Sequence, residues 1–368
     1  MVPVPFSHAA AASVHLRGRI EAVIEERIRR FIEDPASGDF NQLAKEAFAF
    51  QYEKVEAYRK LCDQNGTDPA NVDDWRQIPP IPALAFKSLD LATVEGGEVF
   101  RSSGTTGDQQ SVHRHGFLDL YRATIDRTIP AAVLGEMEHL PILSLIPDRA
   151  MSPDSSLSFM ADHIIRQWGT PQSVNAFGSR GVDFRLARSF FSARQRDGQP
   201  VLILSTSFAL DQLVESLAKL DLRFRLPAGT VVFETGGYKG RRREVARSEL
   251  LASLQERLAV VPDHVVREYG MTELTSQLYT GIRQGGDQDL FLAPEWVKTR
   301  VLDPETLDET TMGTAGLICI FDLANLSSAV HLLTEDLGIM HDNGLLLTGR
   351  AAGADLRGCS LTVEDLWR

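Results

Sequence analysis

Between residues 139 and 274 short apolar runs alternate with longer segments of helical pattern, and this order constrains the fold most. "LPILSLIP" reads as a strand ending near Pro147, and "SLSFMADHIIRQWG" as a helix stopped at Gly169. "PVLILSTS" is a strand and "FALDQLVESLAKL" a helix. "GTVVFETGG" is a strand, "RRREVARSELLASLQERL" a helix, and "DHVVREYGMTE" begins as another strand. Strands alternating with helices predict an α/β fold with a mostly parallel sheet.

The flanks read differently. Ile20, Val23, Ile24, Ile28 and Phe31 recur at helical spacing, and "FNQLAKEAFAFQYEKVEAYRKLC" continues the pattern. Pro79, Pro80 and Pro82 then break it, because proline lacks the N–H donor. After residue 286 the texture is strand, turn, strand, with turn signals at Asp303-Pro304, Gly313 and Asn343-Gly344. The expected organisation is a helical segment over 1–76, an α/β core over 77–285, and a smaller antiparallel or β-barrel-like subdomain over 286–368.

Of the 368 residues 43% are hydrophobic and 24% charged, so a sizeable core is expected. The net charge of −12 argues against a nucleic-acid surface, which needs a basic patch. No apolar run approaches the about 18 residues that span a bilayer, and the first residues lack the basic start of a signal peptide. Cys62, Cys319 and Cys359 lie far apart, with no CxxC pair, so neither a disulfide framework nor a zinc cluster is indicated. A cytoplasmic location is expected.

"FRSSGTTGDQQS" follows a plausible strand end. Ser102, Ser103, Gly104, Thr105, Thr106 and Gly107 supply backbone freedom, amides and hydroxyls, a combination that can cradle phosphate oxygens. The loop is neither GxxxxGK[ST] nor GxGxxG, and taken alone such a loop is most often an ordinary turn. Other strand ends carry companions: Gly236 and Gly237 in "ETGGYKG", Tyr269, Gly270, Thr272 and Glu273 in "REYGMTEL", Asp336 in "LLTEDLG" and Arg350 in "LLLTGR". Open α/β sheets bind ligands at such ends. An aromatic can flank a purine, a carboxylate can pair with ribose hydroxyls, and Glu273 could hold Mg²⁺ through phosphate oxygens.

"SSGTTG", the Gly-Gly strand end, "YGMTE", the Thr-x-Asp element and the Gly-Arg element come in the order of the adenylate-forming superfamily. "IPALAFKS", "TGGYKGRRREV" and "GADLRGCSL" resemble its LuxE-type acyl-protein synthetase branch, and the resemblance covers roughly residues 78 to 362. It implies the large-domain fold of that superfamily, and activation of a carboxylic (by this branch, fatty) acid with ATP and Mg²⁺ to an acyl-adenylate. It implies that residues 102–107 hold the β- and γ-phosphates, and that Gly236 and Gly237 line the adenine and acyl pocket. Tyr269 and Gly270 would pack at the adenine, Thr272 would contact the α-phosphate, and Glu273 would bind Mg²⁺. Asp336 would take the ribose hydroxyls and Arg350 would support ribose or phosphate. Cys359 would accept the acyl group as a thioester and pass it to a reductase, transferase or carrier protein.

Two departures stand out. Most relatives place Pro-Lys after the phosphate loop where this chain has "DQQS", so Lys87, Arg101 or Arg114 are candidates for the missing cation. Larger relatives continue into a mobile lid domain with a catalytic lysine, and the fold expected here lacks that lid. His113 and His115 either face the acyl-phosphate or are ordinary strand histidines. Two alternatives stay open. One is a stand-alone ligase passing an aryl or other small acid to CoA, a carrier protein or an amine. The other is a non-catalytic nucleotide-binding scaffold.

Overall fold

The computed structural model describes residues 8–103, 109–236 and 246–351. Its centre is a parallel array of Ile142–Leu145, Leu202–Thr206, Val231–Thr235 and Val265–Tyr269, with Val174–Asn175 on the outer edge. Leu202 to Leu204 and all of Val231–Thr235 are buried, as expected for strands covered on both faces. Successive side chains alternate between two cores. Leu143, Ile203 and Val232 pack with Phe191, Leu213 and Leu254 on one face, while Ile142, Leu204 and Phe233 pack with Ile129 and Phe159 on the other.

The helices start where a short polar side chain can cap them. Thr206 ends a strand and its Oγ1 accepts from the Ala209 amide at 3.2 Å, opening Ser207–Lys219. Ser155 caps Ser156–Trp168 and Asp183 caps Phe184–Asp197 in the same way, and the latter helix stops at Gly198 in the left-handed region (φ 69°).

After Val265–Tyr269 the sheet turns antiparallel. Leu278–Thr280, Leu290–Leu292, Gly344–Arg350, His331–His341, Ala315–Asp322 and Val297–Leu302 follow in spatial order, within one 12-stranded sheet among the described residues. The segment after residue 286 is thus antiparallel, as its turn signals imply, and it continues the hydrogen bonding of the parallel half. The helices His8–Glu33, Phe40–Lys54 and Glu56–Gln64 share a core with this antiparallel half, where Phe48, Tyr58 and Trp75 meet Ile320, Phe321 and Leu332. Burying each of Phe48, Phe321 and Leu332 contributes about 2 kcal/mol. Ion pairs such as Arg30 with Glu26 stand in water and are screened, so apolar packing fixes the helical layer. A buried amide reinforces it: Gln51 donates to the Asn325 carbonyl at 3.1 Å and accepts from the Val330 amide at 2.9 Å.

Candidate functional site

The candidate site forms where the parallel strands end. Gly236 follows Val231–Thr235 with φ 69°, a conformation that favours glycine, and its carbonyl accepts from the Ser207 hydroxyl at 2.7 Å. Beside it the Thr235 hydroxyl donates to the buried Glu268 carboxylate. At Gly270 a Cβ would stand 2.2 Å from Oε1 of Glu268, so a side chain there would displace that carboxylate.

The chain then makes a tight turn at Thr272 and Glu273, and the residues after it are held from beneath. Asp322, fully buried at the end of Ala315–Asp322, accepts four hydrogen bonds. Its Oδ2 takes the amides of Thr275 (3.1 Å) and Ser276 (2.7 Å), and its Oδ1 takes the Ser276 hydroxyl (2.7 Å) and the Ala324 amide (3.0 Å). Burial raises the pKa of this carboxyl above its ordinary value, and the four donors offset only part of that rise. Asn325 donates to the carbonyl of Glu273 at 2.9 Å and accepts from the Thr275 hydroxyl at 2.8 Å.

Tyr269, Asp336 and Arg350 converge beside this turn. The Tyr269 hydroxyl donates to Oδ2 of Asp336 at 2.8 Å. Burial and the Asp336 carboxylate hold that phenol well above its ordinary pKa, so it remains a donor. Arg350 stands opposite Asp336 in the strand register and donates to Glu335 at 2.6 Å. Partial burial works against the Arg350 charge, but the carboxylates of Glu335, Asp336 and Glu273 outweigh it and raise its pKa. Glu273 is itself 7% exposed, and its charge is felt at both Tyr269 and Arg350. An aromatic, an arginine and carboxylates thus share one corner of the sheet.

The Ser/Thr/Gly-rich loop is the connection of a separate hairpin, Glu98–Arg101 with Val112–His115. Ser102 closes its base: its amide donates to the Ser111 carbonyl at 3.0 Å, and its hydroxyl accepts from the Ser111 amide at 2.9 Å. Ser103 follows at the edge of the described residues. Alternation along Val112–His115 buries His113 and His115 and turns Arg114 outward to Asp90, at 3.4 Å. Arg101 is also exposed and lies 3.5 Å from Asp154. Lys87 ends the 3-10 helix Ala83–Lys87, next to Phe86, whose ring meets His113 edge-on at 5.4 Å. His113 reaches the turn: its Nδ1 lies 2.7 Å from the carbonyl oxygen of Thr272, and its Nε2 lies 2.9 Å from the Ser328 hydroxyl. The hairpin and the Thr272 turn are therefore joined through a strand histidine.

Gly104, Thr105, Thr106, Gly107, Gly237 and Cys359 lie outside the described residues. Of the other candidates, the structure brings Tyr269, Gly270, Thr272, Glu273, Asp336 and Arg350 together, with Gly236 at the neighbouring strand end and Ser102 at the base of the loop. Cys62 and Cys319 are buried, and Sγ of Cys319 lies 3.2 Å from Nε2 of His331. Asp322, Asn325 and Ser328 belong to no motif of the sequence. The only signal is a polar run, "NLSS", set between strands of continuous apolar pattern.

The buried histidines give the fold an acid limit. Burial lowers the pKa of His113 to about 4 and that of His331 to about 3, and it carries His115, beside His113, well below 6.5. The unfolded chain takes up protons near pH 6.5 that the folded chain refuses, so stability falls as pH drops below that value. Three such groups give a slope of up to about 4 kcal/mol per pH unit around pH 5. Asp322 opposes them with a single group. The urea midpoint is expected to fall steeply between pH 7 and pH 5, and an unchanged midpoint would contradict the placement of these rings.

Among the described residues no helix is long and apolar enough to cross a membrane. None of their His, Cys, Asp and Glu side chains form a group of three or more that could hold a metal ion.

Residues 20–367 match the family described as acyl-protein synthetase, LuxE. A Vibrio harveyi protein named long-chain-fatty-acid–luciferin-component ligase is 22% identical over 344 residues, which is 88% of this chain and 87% of that protein. An Aliivibrio fischeri protein of the same name is 22% identical over 315 residues, 82% of this chain and 79% of its own. Among solved structures, an open conformation of 2-hydroxyisobutyryl-CoA ligase in complex with 2-HIB-AMP and CoA superposes with a TM-score of 0.61. That match is 13% identical and covers 89% of this chain and 69% of the other, a likeness of fold. The chain belongs to the acyl-protein synthetase family LuxE, and by that membership it is an AMP-forming ligase.

Proposed function

We propose that the chain activates a fatty acid with ATP and then carries the acyl group on Cys359. The observation that carries the reading is the convergence of Tyr269, Thr272, Glu273, Asp336 and Arg350 at the strand ends, tied by His113 to the hairpin of the Ser/Thr/Gly loop. In the first step a carboxylate oxygen attacks the α-phosphorus, the bond to the β-phosphate oxygen breaks, and pyrophosphate leaves. In the second the Cys359 thiolate attacks the acyl carbon and AMP leaves. The names of the Vibrio and Aliivibrio relatives favour a long-chain acid.

Each residue then has a task. Residues 102–107 hold the terminal phosphates through amides and hydroxyls. Tyr269 lines the adenine site while its hydroxyl steadies Asp336, which takes the ribose hydroxyls with support from Arg350. Thr272 meets the α-phosphate, and Lys87 is the candidate cation near the loop. Mg²⁺ fits this donor set only together with the nucleotide. A single buried carboxylate, Glu273, matches an ion that takes one or two carboxylates plus substrate phosphates, and the described residues offer no all-protein cage. When bound, the ion would neutralise charge on the phosphates. Catalysis otherwise rests on positioning, by a turn fixed at both of its carbonyls.

The test is the intact mass of the protein after incubation with Mg·ATP and a set of fatty acids. One acyl group should add, neutral hydroxylamine should remove it, and Cys359→Ser should not acquire it. Undiminished acylation of Cys359→Ser would place the acyl group elsewhere. AMP and pyrophosphate without an adduct would leave activation standing and point to a free acceptor such as CoA or an amine. An acyl-accepting reductase or transferase is the partner this chemistry calls for.

A further inference from the structure

Thr272 and His113 lie 159 residues apart in the chain, yet one imidazole joins the two segments that would meet the nucleotide. The partners of that ring fix its tautomer. A carbonyl oxygen only accepts, so Nδ1 carries the proton and donates to Thr272 at 2.7 Å. Nε2 is then a lone pair and accepts from the Ser328 hydroxyl at 2.9 Å. The side chain is 0% exposed, with Phe86 edge-on at 5.4 Å and the His115 ring at 3.9 Å.

The opposite side of the turn is tied independently. Asn325 donates to the Glu273 carbonyl at 2.9 Å, and Ser328, like Asn325, belongs to the segment between Ala315–Asp322 and His331–His341. His113 and Asn325 therefore hold the two successive carbonyls of Thr272 and Glu273, His113 from the hairpin and Asn325 from the antiparallel half. The neighbouring Arg114 turns to Asp90 and cannot share this task.

We propose that His113 is a positioning residue for adenylation: it locks the Thr272 carbonyl against the hairpin strand Val112–His115, so that hairpin and turn keep one fixed spacing. The role rests on the adenylation reading above. It uses the imidazole as a neutral two-ended brace that touches neither acid nor nucleotide.

Three variants separate the brace from the bulk of the ring. His113→Phe keeps ring volume and loses both hydrogen bonds. His113→Asn places an amide donor near the position of Nδ1, and His113→Gln places it near Nε2. In acid-dependent exchange of pyrophosphate into ATP, kcat of His113→Phe is expected to fall about 100-fold, with KM for the acid nearly unchanged, because a slight misplacement of the turn acts on the reacting geometry. His113→Asn is expected to stay within about 10-fold of the natural protein and to exceed His113→Gln, since only it restores the bond to Thr272. Circular dichroism identifies any variant that fails to fold. If His113→Phe does fail, the ranking of Asn over Gln decides. A folded His113→Phe as active as the natural protein, equal Asn and Gln variants, or a loss confined to KM would each overturn the role. The imidazole ¹⁵N shifts of the ligand-free protein supply a readout without turnover. The Nδ1–H tautomer is expected, and an Nε2–H tautomer or an imidazolium at pH 7 would remove the brace even if adenylation stands. A natural protein with no exchange at all would overturn the adenylation reading and this role together.

Discussion

Replacing Asp322 with alanine is expected to lower the unfolding free energy by about 4–5 kcal/mol, the range of mutations that break a buried polar network. The carboxylate is fully buried and each of its oxygens accepts two hydrogen bonds. Alanine leaves the Thr275, Ser276 and Ala324 amides and the Ser276 hydroxyl without that partner. Each abandoned buried donor costs about 1–3 kcal/mol before relaxation. Asp322→Asn should cost about 2–3 kcal/mol, because whichever way its amide turns, the NH₂ group faces two donors that need an acceptor. The damage spreads to Trp296, whose indole donates to the Ser276 hydroxyl at 2.9 Å. Urea unfolding at pH 7 reads the loss, and a change under about 1 kcal/mol for alanine would show that the clamp is not what holds the turn. Folded Asp322→Asn is expected to lose pyrophosphate exchange as well, since the clamped Thr275 and Ser276 are separated from Thr272 and Glu273 only by Leu274.

What the sequence revealed follows the locality of the forces. The central strands were legible because burial on both faces requires continuous apolar runs, as in Leu202–Thr206 and Val231–Thr235. The antiparallel half was legible through its turns, including the Asn343-Gly344 signal between His331–His341 and Gly344–Arg350. The helices Leu118–Ile129 and Phe184–Asp197 are less legible: the second sets exposed Arg185, Arg188 and Arg196 beside a buried face of Ala187, Phe190, Phe191 and Arg194, so its apolar stripe is short. The helix expected from "RRREVARSELLASLQERL" is described over Arg247–Leu258, and its first residues, 241–245, lie outside the described residues.

The candidate site was legible as a set of short motifs, and the means of holding it were not. Asp322 and Asn325 read locally as the polar end of a strand and a turn. Their partners Thr275, Ser276 and Glu273 lie 46 to 52 residues earlier, and no local period reports a contact made across the sheet. His113 and His115 did carry a signal, since spacing by two puts both on the inward face. The structure resolves their assignment in part: His113 binds the turn, and His115 stacks on Tyr121 with ring centroids 5.6 Å apart.

Acid activation by ATP is the centre of the account, and Glu273 is the residue on which it bears hardest. The side chain is buried beside the Tyr269, Asp336 and Arg350 corner, where glutamine keeps its volume and removes its charge. If that carboxylate meets the nucleotide's metal, Glu273→Gln should cut turnover about 1,000-fold or more, at or beyond what loss of one preorganised electrostatic contact costs. Exchange of labelled pyrophosphate into ATP, with and without fatty acid, tests this most directly. The natural protein is expected to exchange label only when acid and Mg²⁺ are both present, and folded Glu273→Gln to fall to background. Absence of acid-dependent exchange in the natural protein, or full exchange by Glu273→Gln, would contradict the account.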